Sequence, residues 1–152
     1  MLGSVERDLA RRALDTARTR GATYSDVRFV RRSVEDVLVK NGHLENVDRS
    51  DTYGFAVRTI ADGAWGFAAS PVLEAAEADR VAALAVEVAR ASALTKREDA
   101  RLAPVKPVTA TYTTPIEIDP WTMQFDERVR LLLDADAAMK QAQSGVVREP
   151  CS

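Results

Sequence analysis

Near the start of the chain apolar residues recur at a spacing of four in two interleaved rows. One row is Leu9, Ala13 and Ala17; the other is Ala10 and Leu14; Arg11, Arg12, Asp15 and Arg18 lie mostly off the stripe. This periodicity predicts an amphipathic helix over about Val5 to Arg20. Gly21 offers a C-cap, and Arg18 and Arg20 sit where positive charge suits the carbonyl end of the helix dipole. A stripe made mostly of alanine lets such a helix approach a sheet closely while burying little area per residue.

From Asp26 the period changes to two, with Val27 and Phe29 on one face and Asp26, Arg28 and Val30 on the other, the signature of a strand. Ser33 is expected to interrupt it, and a second strand follows over Asp36 to Lys40. Asn41-Gly42 then predicts a type I′ hairpin turn, because both residues tolerate positive φ. The return strand is His43 to Val47, Asp48 to Asp51 read as a polar break, and Thr52 to Ile60 reads as a third, longer strand. Tyr53, Phe55 and Val57 share one of its faces; Gly54, Ala56, Arg58 and Ile60 share the other. Asp62-Gly63 predicts a second hairpin, returning through Trp65 to Ala69. Glycine weakens a strand interior, so Gly54 and Gly66 predict a bulge or a segment crossing closely. The Gly/Ala face then lies either beneath a helix or against a partner. Tyr53, Phe55, Trp65 and Phe67 are expected to pack across strands.

Ser70-Pro71 predicts a helix start, with serine as cap and proline at the first helical position. The helix should run to about Ser92, with Val81, Leu84, Ala85 and Val88 as its apolar stripe and Glu77, Arg80, Glu87 and Arg90 facing solvent. Residues 96–106 read as connector. Val108 to Thr114, bracketed by Pro107 and Pro115, is expected to add an edge strand. Asp119-Pro120-Trp121 reads as a turn, followed by a helix from Thr122 or Met123 to about Gln143. Asp126 and Glu127 lie in its first turns, and Phe125, Val129, Leu132 and Leu133 form its stripe. The layout is α+β: an antiparallel, hairpin-built sheet with helices packed on it, the first helix N-terminal to the sheet.

Composition narrows the function classes. At 46% hydrophobic and 29% charged residues the 152-residue chain has the balance of a folded domain. A net charge of −2 creates no long-range field for nucleic acid or anionic lipid. No apolar run is long enough for a membrane span, and the N-terminus lacks the apolar core of a secretory signal. One cysteine, Cys151, stands beside the chain end, so a cytoplasmic setting is the expectation.

The sequence offers no catalytic, cofactor-binding or metal-binding residue. His43 is the single histidine, which excludes HExxH with residues of this chain alone, and no Ser-His-Asp triad is read around it. It reads as a hairpin-tip residue before an acid-base group. Asp134 and Asp136 are two apart on a helix and do not share a face; Asp15 and Asp26 fall in unrelated elements. The glycines of ADGAWGF sit in a hairpin and a strand, not in a strand–turn–helix phosphate loop. Arg11, Arg12, Arg18, Arg20, Arg28, Arg31 and Arg32, with Tyr24 and Phe29 among them, read first as a solvated or partner-facing surface and second as a nucleic-acid contact. Trp65 and Trp121 read as core or interface anchors.

Taken in order, Gly21-Ala22 before Asp26-Val27-Arg28, then Asn41-Gly42 with Leu44-Glu45, Gly54, Val57-Arg58, and Gly63 through Trp65-Gly66-Phe67-Ala68 resemble a known pattern. With the helix after Pro71 and Asp119-Pro120-Trp121 before a helix, residues 8–140 resemble the N-terminal domain of the TldD/PmbA family, zinc metallopeptidases formerly called modulators of DNA gyrase. Each motif is weak; the combination is more specific. ADGAWGFAAS looks more like the TldD type than the TldE (PmbA) type. The resemblance implies a parent about three times longer, with its zinc-binding HExxxH helix beyond this domain and a TldD/TldE pair enclosing a chamber for small or unfolded peptides. Nothing here matches the zinc motif, so no ligand is carried over.

These expectations set the boundaries as residues 1–103 for an α+β core. Residues 104–152 form a connector, short strand and helix leading into an absent C-terminal catalytic domain. The expected function is a non-catalytic assembly and chamber-wall domain, inactive alone, with zinc in the missing part. Its expected partners are that C-terminal domain and a TldD/TldE-type subunit. The alternatives are a stand-alone module binding protein or, less favoured, nucleic acid, and an enzyme of another class using surface carboxylates.

Overall fold

The computed structural model describes residues 3–104, 106–113 and 115–142. The elements are helix α1 (Ser4–Thr19), strands β1 (Tyr24–Lys40), β2 (His43–Ala61) and β3 (Ala64–Ser70), helix α2 (Ala75–Ala93), a 3-10 turn (Pro120–Thr122) and helix α3 (Phe125–Ala142). The strands form one antiparallel sheet in the order β1-β2-β3. The α+β class with α1 ahead of the sheet is as the patterns predict. The chain divides into two compact units, residues 1–32 with 52–112, and residues 33–51 with 113–152. The β1–β2 hairpin contributes its base to the first and its tip to the second.

In the first unit β2 and β3 pair from Phe55↔Ser70 to Ala61↔Ala64. Phe55, Val57, Ala61 and Ala68 of one face are buried with Leu9, Ala13 and Ala17 of α1 and Ala78, Val81, Ala82, Ala85, Val86 and Ala89 of α2. Val27 packs against this core, as does Phe29, whose ring stacks on Phe55 at 5.9 Å. At β3 the helix-covered face is made of the small residues Gly66 and Ala68, and α2 meets Gly66 with Ala85 and Ala89. Leu84 and Val88, expected on the buried stripe, are instead 39% and 38% exposed. A leucine cannot enter where backbones approach this closely. Gly66 shows why: a Cβ there would overlap the carbonyl oxygen of Ala85 and stand 2.5 Å from the amide nitrogen of Ala89. At Gly54 it would stand 2.7 Å from the carbonyl oxygen of Ser70. The crossing segment inferred from the glycines is therefore α2 at Gly66 and the end of β3 at Gly54. Asp79 joins the two helices, accepting from Arg12 Nη2 at 2.6 Å and Thr16 Oγ1 at 2.7 Å.

Both hairpin turns have positive φ at both central residues, Asn41 and Gly42 in one, Asp62 and Gly63 in the other. This matches the right-handed twist of the strands they join. The strands are continuous where two breaks were expected. β1 runs unbroken through Ser33, and β2 through Asp48 to Asp51. Residues 41–52 are all exposed, so polar side chains there meet water while the backbone ladder continues. Polarity marked exposure, not a break. α2 begins at Ala75 rather than at Pro71. Ser70 closes β3, and its hydroxyl accepts from the Val72 amide, capping a local turn instead of the helix. Residues 108–113 form no strand; Pro107 and Pro115 each remove an amide donor near its ends. Thr114, the end of the last helix near Gln143, and Cys151 lie outside the described residues.

In the second unit Val37 and Val39 of β1 are buried, and Val37 borders a groove with Leu131 and Leu132 of α3. Phe125, Val129, Leu132 and Leu133 are half-buried, the expected stripe. The buried residue of α3 that periodicity did not mark is Asp136, 1% exposed, whose Oδ2 approaches the Gly42 turn. Asp119 caps the 3-10 turn by accepting from the Trp121 amide at 2.9 Å.

Candidate functional site

Helices cover one face of the sheet in the first unit. Alternation sends the intervening residues to the other: Tyr24, Asp26 and Arg28 from β1, Ala56, Arg58 and Ile60 from β2, and Trp65, Phe67 and Ala69 from β3. Register places Arg58 opposite Phe67 and Ile60 opposite Trp65. No helix among the described residues of this unit lies on this face, and Phe67 is 59% exposed.

Its polar centre is Asp26. Oδ2 accepts from Arg58 Nε at 2.8 Å and from the Tyr24 hydroxyl at 3.0 Å. Arg58 Nη2 lies 2.7 Å from the same oxygen, and Arg28 Nε 3.3 Å from Oδ1. The hydrogen bond to Asp26 holds the Arg58 guanidinium above its ordinary pKa against the opposing effect of burial. The same guanidinium lies over the Trp65 ring, 4.9 Å from its centroid, and Tyr24 meets Trp65 edge-on at 5.8 Å. Cation–π and edge-to-face contacts of this kind fix the indole in place. Beside them a notch of about 150 Å³ opens between Asp26, Ala56, Arg58 and Phe67.

Donors thus approach both oxygens of the Asp26 carboxylate. Fixed aromatic and arginine side chains around a small notch are the composition of protein–protein interface centres.

The arginines between Arg11 and Arg32 are largely tied down by their own chain. Arg12 pairs with Asp79, Arg18 with Asp15, Arg20 with Glu87 and Arg28 with Asp26. Arg31 lies over the Tyr53 ring, and the Tyr53 hydroxyl donates to Glu6 at 2.8 Å. His43 is exposed at the first position of β2. Trp65 is an anchor of the open face, not of the core. Among the described residues no group of three or more His, Cys, Asp or Glu side chains is placed to hold a metal ion. A zinc centre does not fit the donors present among the described residues.

Two polar clusters gave no sign of themselves in the sequence. Asp26–Arg58 unites residues 32 positions apart, and only the strand register makes them neighbours. In the second unit Glu35, its side chain 8% exposed, lies 2.5 Å from Arg128 Nη1 and 3.4 Å from Arg49 Nε. Trp121 carries both guanidinium groups, at 5.5 Å and 5.9 Å. An acid at position 35 of an amphipathic strand carries no signal of burial.

Residues 25–89 match the family model of PmbA/TldA metallopeptidase domain 1. Solved structures share the fold. A proposed modulator of DNA gyrase from Bacteroides thetaiotaomicron is 15% identical with a TM-score of 0.61, over 95% of this chain and 32% of that one. TldE from Thermococcus kodakarensis is 12% identical with a TM-score of 0.57, over 92% and 30%. A proposed modulator of DNA gyrase from Thermotoga maritima is 17% identical with a TM-score of 0.52, over 85% and 28%. The chain thus spans about a third of the length of these structures. None of the curated proteins compared with it matches. The match is at family level and does not separate TldD-type from TldE-type.

Proposed function

We propose that this chain is the N-terminal, non-catalytic domain of a TldD/PmbA-type zinc metallopeptidase, and that it serves assembly. The observation that carries this reading is the domain-1 match over residues 25–89. That segment contains most of the sheet and α2, including the uncovered face. In this reading the face around Phe67, Trp65 and Arg58 packs against the rest of the parent protein or a TldD/TldE-type partner subunit, in the cytoplasm. The peptide-cleaving zinc centre and its substrate belong to the part beyond this domain. The aromatic strand β3 favours a TldD-type parent.

The test has two arms. Peptide hydrolysis is measured with the 152-residue chain and added zinc; metal-dependent turnover would overturn the non-catalytic assignment. The chain is then mixed with a family partner lacking its own first domain, and complex formation is followed by light scattering. Assembly that Phe67→Ser weakens supports the reading, and its absence at high micromolar concentration refutes it. The nucleic-acid alternative predicts salt-dependent binding, which the internal pairing of Arg12, Arg18, Arg20 and Arg28 disfavours.

A further inference from the structure

The second unit contains a groove of about 330 Å³ whose walls are Val37, Trp121, Leu131 and Leu132. Its polar part is the Glu35–Arg128 pair. Leu131 is 62% exposed and Trp121 45% exposed, large apolar surfaces facing water beside a buried charge. Two features give the groove a chemical preference. Arg49 and Arg128 converge on the one carboxylate of Glu35, leaving one positive charge uncompensated in this cluster. The guanidinium of Arg128 is the second feature: its planar fork matches a carboxylate better than any neutral group.

We infer that this groove binds the C-terminal end of a partner polypeptide: an apolar last residue between Leu131, Leu132 and Trp121, with its free carboxylate on Arg128 and Arg49. The apolar walls supply contact area and the surplus arginine charge selects the chain end. An internal segment offers the side chain without the carboxylate. The site is separate from the uncovered sheet face and does not depend on the family reading.

N-acetyl-Ala-Ala-Leu as free acid and as C-terminal amide are titrated into the full chain, and the two indole N–H signals are followed by NMR. The free acid is expected to shift Trp121 and leave Trp65 in place. The amide should bind about ten-fold or more weakly. Arg128→Lys keeps the charge beside Glu35 but removes the planar fork, and Leu131→Ser alters an exposed wall without disturbing the core. Each is expected to weaken the free acid while the remaining spectrum stays folded. Equal binding of acid and amide, no Trp121 shift at millimolar peptide, or unchanged binding in both variants would overturn the inference.

Discussion

Gly66 of β3 lies directly beneath Ala89 of α2, close enough that a Cβ on Gly66 would stand 2.8 Å from the Ala89 methyl. The helix and sheet touch through backbone here, and the alanine stripe of α2 exists to allow it. Gly66→Ala therefore forces α2 outward along the whole core. We expect a loss of about 2–3 kcal/mol or more, by analogy with overpacked cores, read as a lower urea midpoint. A midpoint unchanged from the parent would show that the helix sits farther off than described.

The exposed aromatic of the uncovered face should behave differently. Phe67 projects from the side opposite the helices, so Phe67→Ser is expected to change folding stability by no more than about 0.5–1 kcal/mol. A large drop in melting temperature would mean that the ring is part of the fold's own core.

Breaking the Glu35–Arg128 pair should be expensive. Glu35→Ala leaves two guanidinium groups around an emptied, nearly buried position, and a cost of about 3 kcal/mol is expected. Replacing both partners, Glu35→Leu with Arg128→Leu, removes the stranded charge and should recover most of that loss. Denaturation of the single and double variants distinguishes this from additive damage.

Acid should loosen the helices. Hydrogen bonds from Arg80, then from Ser70, draw the Glu77 carboxyl from 4.5 to about 2. Arg12 and Thr16 hold Asp79 below its ordinary 3.8. Both groups have folded pKa values below their unfolded ones. Their stabilisation is therefore present above about pH 4.5 and is lost as pH falls toward 2. Melting temperature should fall across that window, and Asp79→Asn should show a shallower fall than the parent. An equal slope would remove Asp79 from the effect.

Much of the fold was legible because it rests on local periodicity. The four-residue spacing of Leu9, Ala13 and Ala17 marked a helix and its buried side. Asn41-Gly42 and Asp62-Gly63 marked two turns, since few residue pairs accept positive φ twice in succession. The pair Gly54 and Gly66 foretold a close crossing. Errors arose where a local cue had two physical meanings. Ser33 and Asp48 to Asp51 looked like breaks but are strand residues in water. Ser70 looked like a helix cap but closes a turn of its own.

What the tertiary structure alone decided is which side chains meet. Nothing in the chain order joins Asp26 to Arg58, or Glu35 to Arg128; each pair requires a register or a packed helix to bring distant residues within hydrogen-bonding reach. The same holds for α2, where the sequence offered Leu84 and Val88 as core and the close approach of Gly66 places Ala85 and Ala89 against the sheet instead. Periodicity reports how an element can bury a face. The distance to its neighbour determines which residues of that face fit.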